Sequence, residues 1–377
     1  MRRRLSASSG SEPVRIAREH RSVSTKSAAA GTGPACVGGW RKGWSPALLL
    51  AATAGLVLVL MPSVLAVYPL FILSHMLVFA IACLAVNLLY GTAGSLSFGH
   101  GTYFGVAAYT GAFVYRFTTA NSFEVYLATG ILSAALFATA IGFLCARSTK
   151  IFFTLLTLSF SMVVYSLVID GAVFWLLGGI GWALYLLGEG SMYIPRLTIL
   201  GAEVPAAQFI AVFYHIIVLA FIASGLVLWR IGASPFGQAL RAIRDNEMRA
   251  AFIGIPVWQY RWRAFIISGV FAGLAGSLYG QLARQITPDQ LHWLFSAKLI
   301  LAIVLGGTRH FLGPVLGAFV FVLLDEVATP WAVGRYMMFG ALLIVFVFAF
   351  PRGMTGAFMA LTQAAKRQWG QFGQPRR

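Results

Sequence analysis

A chain of 377 residues that is 59% hydrophobic, with 40 glycines besides and only 10% charged residues, lacks the polar side chains needed to cover a soluble surface. Its mean hydropathy of +0.80 excludes a soluble enzyme, a disordered protein and a collagen-like fibre, and points to a polytopic membrane protein. The net charge of +17, from 28 Lys and Arg against 11 Asp and Glu, would suggest nucleic acid in a soluble protein; here it reads as the positive-inside bias of membrane loops, with no nucleic acid implied.

Residues 1–46 carry nine basic and two acidic residues among many Ser, Ala and Gly, the composition of a disordered, solvated cytoplasmic tail. The segment also has some transit-peptide character, and an upstream misplaced start is a plain alternative. From Ala47 the apolar runs begin. Ala47–Val67, Leu70–Tyr90, Val125–Ala146, Ile151–Ile169, Ala206–Trp229 and Ala264–Leu282 contain no Asp, Glu, Lys or Arg and suit membrane helices of roughly 20 residues. Thr102–Phe117, Leu294–Gly307, Leu312–Val327 and Trp331–Phe350 are shorter or interrupted by glycine. The expected fold is all-α and polytopic, with about ten transmembrane helices, some short or broken. The transmembrane domain occupies 47–352, followed by a basic cytoplasmic tail over 353–377.

Charge placement supports ten crossings with both termini inside. With that topology the cytoplasmic side receives 23 of the 28 basic residues; Arg116, Arg196, Arg284, Lys298 and Arg335 fall outside, in keeping with the positive-inside rule. Ala172–Leu187 is apolar enough to tempt an eleventh crossing. That crossing would move six basic residues of 231–263 and its border outside, so the segment reads as re-entrant or interfacial, with Trp175, Trp182 and Tyr185 suited to an interface. Cys36, Cys83 and Cys145 form no disulfide or zinc pattern.

Residues 91–105, GTAGSLSFGHGTYFG, hold Gly91, Gly94, Gly99, Gly101 and Gly105, with Gly111 just beyond. Each glycine costs a helix about 1 kcal/mol relative to Ala, so the segment reads as a broken element. Non-helical backbone at membrane depth must be buried in protein or line a watery cavity. One reading places it beside a translocation path, with Ser95, Ser97, Gly99, His100 and Gly101 as candidate pathway residues. The other is tight packing through Gly101-x-x-x-Gly105. The two are compatible. Gly269-x-x-x-Gly273 and Gly276-x-x-x-Gly280 read as a close helix crossing. His75, His100 and His215 lack acidic partners in their own spans, and no HExxH or Cys/His spacing suggests a metal. No residue is assigned a catalytic role.

Residues 231–263 form the long polar stretch between spans. Ser234-Pro235 suits an N-cap followed by proline at the first helical position. Gly254 and Pro256 end a helix and prevent its continuation. Between them, Ala239, Leu240, Ile243, Ala250, Ala251 and Ile253 alternate with polar residues, giving a short amphipathic hairpin. Its arginines suit anionic lipid. Its Asp245 and Glu247, with the defined turn at Gly254, suit docking of a soluble partner. On residue chemistry alone the two readings stand even.

Three segments carry a resemblance. NLLYGTAGSLSFGHGTYFGVAAYTGAF (Asn87–Phe113), the stretch from Ser234 to Leu282, and LILAIVLGGTRHFLGPVLGAFVFVLLDE (Leu299–Glu326) closely resemble, in order and spacing, the permease subunits of branched-chain amino acid ABC importers. The likeness covers roughly residues 60–352. It implies an ABC-importer permease fold in the inner membrane, with 231–263 as the loop coupling to ATPases. Ser234, Pro235, Gly237, Arg241, Arg244, Asn246, Glu247 and Gly254 are then its candidate coupling residues. It also implies two ABC ATPase subunits, a second homologous permease subunit, a periplasmic or lipid-anchored binding protein, and surrounding lipid. The chain has no Gly-x-x-x-x-Gly-Lys-Ser/Thr, so it needs no cofactor of its own and ATP belongs to the partner subunits. Branched-chain amino acids, or related small solutes such as urea, short amides or organic acids, are the implied cargo. Gly178–Trp182 is more apolar than the polar element common at that place, and 188–205 is short; the cargo is therefore left open. The alternative is an ion-coupled secondary transporter, which usually carries acids inside its spans. Here Asp170, Asp325 and Glu326 sit near span ends.

Overall fold

The computed structural model describes residues 55, 58–118, 121–148, 150–169, 191–199, 201–205, 208–308, 310–328, 335–349 and 353–356. The basic segment 1–46, most of Ala47–Val67 before Leu58, the stretch Ala172–Leu187, Asp170 and the tail beyond 356 lie outside the described residues.

Eleven α-helices are labelled in chain order. These are α1 Val67–Asn87, α2 His100–Thr118, α3 Phe123–Cys145, α4 Lys150–Ile169, α5 Phe209–Ala233, α6 Pro235–Asp245, α7 Glu247–Phe252, α8 Val257–Ala283, α9 Trp293–Gly306, α10 Gly313–Ala328 and α11 Arg335–Ala349. The strand content among the described residues is one two-residue antiparallel pair, Met192–Tyr193 (β1) with Gln285–Ile286 (β2), so the all-α expectation stands apart from this clip. Among the described residues, five helices are long and apolar enough to cross a membrane: α1 with its extension to Ala93, then α3, α4, α5 and α8. The other described helices are shorter or less apolar.

Helices α1 and α8 form the centre. α1 is buried without interruption from Met76 to Asn87, and α8 packs against α1, α2 and α3. The glycine stripe of α8 explains how closely they approach. A side chain at Gly269 or Gly273 would strike the Cβ atoms of Ala138 and Ala134 on α3, and one at Gly276 would strike the carbonyl of Phe104 on α2. Small residues thus bring backbones together where water supplies no driving force between helices. This is the close crossing expected from the sequence.

Helix α8 begins at Val257, not at Ala264, and α5 continues to Ala233. The polar loop expected over 231–263 is therefore shorter, because its last seven residues are helical. The charges of Arg261 and Arg263 disguised this. Arg261 is only 3% exposed in its side chain and pairs with Glu247 at 3.0 Å, so here a basic residue belongs to a packed helix. The 27 residues of α8 reach about 40 Å, longer than a hydrocarbon core of about 30 Å. On its first turns Trp258 and Trp262 stack on each other and pack edge-on against the Phe143 ring of α3, at 5.6 and 5.8 Å.

Two helices are interrupted. α1 passes through a π-turn, Leu88–Thr92, then loses helical form until α2 starts at His100. α8 ends at Arg284 in the left-handed region (φ 57). The chain then pairs through β2, makes a 3₁₀ turn at Pro288–Gln290 closed by a Thr287 capping box, and enters α9. At 14 residues, α9 covers only about 21 Å. The segment before it explains the shortness. Leu291 accepts a hydrogen bond from Ser161 at 3.1 Å, so α9 starts beside the middle of α4. The starts of α2 and α9 meet there: Gly101 N donates to Ser296 Oγ at 2.8 Å.

Candidate functional site

Two regions absorb the residues singled out by the sequence. The first is the interruption between α1 and α2. Ser95, Ser97 and His100 are all buried, at 2%, 1% and 0% exposure, and Gly99 and Gly101 are buried beside them. Their backbone groups find partners on surrounding helices. Phe98 N donates to Thr157 Oγ1 at 3.2 Å, and Leu96 O accepts from Thr154 Oγ1 at 2.9 Å. Gly99 N donates to Ser97 Oγ at 3.2 Å. Thr102 Oγ1 donates to Ser161 Oγ at 2.9 Å. A non-helical run at membrane depth is possible because these hydroxyls replace the missing helix bonds.

His100 sits at the joint. Its Nε2 lies 2.7 Å from Ser268 Oγ, and Ser268 spends its hydroxyl hydrogen on Ala85 O at 2.5 Å. A serine has one hydrogen to give, so the imidazole donates through Nε2–H. One histidine thus ties α2 to α8, and Ser268 carries the tie to α1. Asn87 Oδ1 and Tyr103 OH are buried nearby without a hydrogen-bond partner among the described residues. Gly94, Leu96, Ile151, Thr154 and Leu155 line an open pocket of about 300 Å³ along the outside of this segment. Of the interrupted run, Gly94 and Leu96 line the pocket, and none of the five candidate pathway residues Ser95, Ser97, Gly99, His100 and Gly101 does. Sequence reading missed Thr154, Thr157 and Ser161. Their spacing of three and four residues along α4 places them on one face, and that polar stripe in an apolar helix was a usable signal.

The second region is the hairpin α6–α7. Ser234 caps α6 as expected: its Oγ accepts from Gly237 N at 3.4 Å, and Pro235 occupies the first turn. Gly237 is buried, and a Cβ there would strike Gly232 O. The chain breaks at Asn246, whose Oδ1 caps α7 by accepting from Arg249 N at 2.9 Å. Gly254, at φ +86, closes α7 in a Schellman motif: Ile255 N bonds Ala250 O at 3.1 Å and Gly254 N bonds Ala251 O at 3.0 Å. Leu240, Ile243 and Ala250 are buried in one cluster with Leu89 and Ala93 of the interrupted segment, and α6 packs on the π-turn. Expected among the inward residues, Ile253 is instead 70% exposed. Together with Met248 at 68% and Phe252 at 84% it makes an uncovered apolar tip.

Two arginines of the hairpin, Arg241 and Arg244, reach back to the chain, while Arg249 is exposed. Arg241 donates to Gly232 O at 2.8 Å, at the end of α5, where a cation also suits the helix dipole. Partial burial lowers its guanidinium pKa below the ordinary arginine value, with the Arg244 charge adding to the effect and Asp245 opposing it. Arg244 donates to Gly91 O at 2.6 Å. Glu247 pairs with Arg261, which also donates to Ser148 O at 3.1 Å. Arg241, Arg244 and Glu247 thus bind the hairpin to its own chain, while Asp245 and Arg249 stay exposed beside the apolar tip.

The chain is 24% identical over 298 residues to the "High-affinity branched-chain amino acid transport system permease protein LivM" of Salmonella typhimurium, covering 74% of this chain and 68% of the relative. The Escherichia coli protein of the same name is also 24% identical, over 299 residues, with the same coverage. The "Autoinducer 2 import system permease protein LsrC" of Yersinia pestis is 34% identical over 105 residues, 26% of this chain and 30% of the relative. No solved structure matches the chain. The family model described as "Branched-chain amino acid transport system / permease component" matches residues 68–347, a stretch that contains both interrupted helices and the hairpin, and the chain belongs to this family of multi-pass membrane permeases.

Proposed function

We propose that this chain is the membrane-spanning subunit of an ATP-driven importer, working with two ABC ATPase subunits, a second homologous permease subunit and an external binding protein. The observation that carries the reading is the hairpin. Arg241 and Arg244 are bonded to its own chain, and Met248, Phe252 and Ile253 stand exposed at its tip, with Arg249 and Asp245 exposed around them. An apolar knob with a polar rim suits a protein pocket, because apolar anchors supply most of the energy of such contacts. In this reading the hairpin lies in the cytoplasm, the chain crosses about ten times, and both termini are cytoplasmic. The charge bias of the loops supports that orientation.

The cargo proposed is a branched-chain amino acid or a related small solute. The names of the relatives support an imported small molecule. Buried Asn87 Oδ1 and Tyr103 OH, left unpaired beside the interrupted segment, support a path near Ser95–Gly101. Opening toward either side would then follow ATP-driven movement of the hairpin. The test is reconstitution in liposomes with the candidate ATPases and binding protein, following leucine uptake. Uptake should require ATP and the binding protein and should disappear in Phe252→Asp. Uptake driven by a proton or sodium gradient without ATPases would replace this reading with ion-coupled transport.

A further inference from the structure

We propose that Arg244 is the positioning residue through which movement of the hairpin reaches the interrupted segment, a mechanical link between the ATPase-facing element and the pocket beside Leu96. The proposal rests on the hairpin being the coupling element. Two observations from opposite sides of the contact carry it. Arg244 NH1 donates at 2.6 Å to Gly91 O, a carbonyl of the π-turn where α1 loses its helical bonding. The chain then turns at Gly94, with φ +68. A side chain there would lie 2.5 Å from Arg244 Cγ and 3.2 Å from its Cβ. The arginine stem thus fills the space against Gly94 while its guanidinium holds the carbonyl three residues earlier.

The setting makes this a link and not a passive contact. Arg244 is in the last turn of α6, next to the Asn246 break, so it moves with the hairpin. Leu240 and Ile243 of the same helix share a buried cluster with Leu89 of the π-turn and Ala93 just after it, and α6 packs on that turn. Asp245 Oδ1 lies 3.4 Å from the Arg244 guanidinium and is itself 72% exposed, which orients the charge without burying it. Beyond Gly94 the chain has five residues before α2 begins at His100, and Leu96 among them lines the pocket. A displacement of the Gly91–Gly94 turn is therefore delivered at once to the pocket wall. The hydrogen bond to a charged donor is the strong kind, and replacing the guanidinium leaves Gly91 O to find another partner.

The experiment uses the assembled transporter in liposomes with two variants, Arg244→Gln and Gly94→Ala. The first removes the guanidinium. The second leaves every charge in place and displaces the stem. Three quantities are read: co-purification of the ATPases, uptake per ATP hydrolysed, and the change in labelling of a cysteine placed at Leu96 when ATP is added with vanadate. Both variants should keep ATPase association and hydrolysis within about twofold of wild type, lose about tenfold in uptake per ATP, and lose the labelling change at 96. A cysteine at Met248 should keep its own ATP-dependent change. A contact that only stabilises the fold would lower melting temperature and all three readouts together. Unchanged uptake per ATP, a persisting change at 96, or loss of ATPase association with Arg244→Gln would each overturn the link. If Arg244→Gln does not insert, Gly94→Ala decides by the same readouts. Failure of the importer reading itself shows differently: wild type would then have no ATP-dependent change at either 96 or 248.

Discussion

The interrupted segment and the hairpin both break an apolar helical chain, yet they dispose of their groups in opposite ways. In the segment, Ser95, Ser97 and His100 are buried, hydroxyls from α4 and α9 answer the backbone, and Ser268 of α8 meets the His100 ring. The hairpin also satisfies its polar groups internally, through Ser234, Asn246 and the three arginines 241, 244 and 261. What sets it apart is the large apolar tip it leaves uncovered, at Met248, Phe252 and Ile253, beside exposed Asp245 and Arg249. The difference separates a finished part from one that awaits a partner. Inside a membrane an unpaired backbone group costs several kcal/mol and must be answered within the chain. Outside it, an exposed apolar tip is stable enough to keep and gains its energy when covered.

The sharpest way to break this comparison is bulk in the buried crossing. Gly276→Val places its Cβ on the Phe104 carbonyl of α2, where neither backbone can yield easily. A loss of about 3 kcal/mol or more is expected from overpacking against backbone, read as a lower melting temperature and poor recovery of folded protein. A folded, normally stable variant would mean that α2 and α8 are not in close contact.

Phe252→Asp should do the reverse. The residue is 84% exposed, so melting should shift by the equivalent of about 0.5 kcal/mol or less. ATPase association should fall by roughly 2 kcal/mol, about thirtyfold, as for a central interface anchor. Normal association with ATPases, alongside lost binding to anionic vesicles, would make the tip a lipid contact.

A milder cut is Ser296→Ala. It removes the acceptor for Gly101 N and leaves a buried donor unpaired, at a cost of about 1–2 kcal/mol in thermal stability. Ser296→Thr should recover most of it by keeping the hydroxyl. If Ser296→Ala melts as wild type does, the junction of α2 and α9 is not held by this bond.

The smallest effect is expected at Gly254. Its φ of +86 suits glycine, while nothing lies within 4 Å of a Cβ there. Gly254→Ala therefore costs strain and no clash, about 1 kcal/mol. Uptake should fall only in proportion to the folded fraction at the assay temperature. A complete loss of coupling with unchanged melting would give this turn a role beyond shape.

Much of the local structure was legible in the chain itself. The density of glycines over 91–105 announced the first interruption, Ser234-Pro235 and Gly254 announced the ends of the hairpin, and the α8 glycines announced a close crossing. These are statements about backbone freedom and capping, and they depend on neighbours in sequence. The second interruption, over 284–292, was less visible. Its left-handed residue is Arg284, not a glycine, and its shape depends on pairing with Met192–Tyr193 and on burial of Leu291.

Apolar run lengths, charge bias and glycine spacing by themselves determined a helical, membrane-embedded chain with a polar hairpin and at least one broken helix. Periodicity and transfer energy act on each segment before it meets the rest. The tertiary structure alone decided which way the polar side chains of the hairpin turn. Arg261 looked like a loop residue until Glu247 and Ser148 supplied its partners from 14 and 113 residues away. Arg244 found its acceptor in Gly91, 153 residues away, which no local pattern announces. A charged side chain lies where its hydrogen bonds can be satisfied, and those partners are set by how the helices pack.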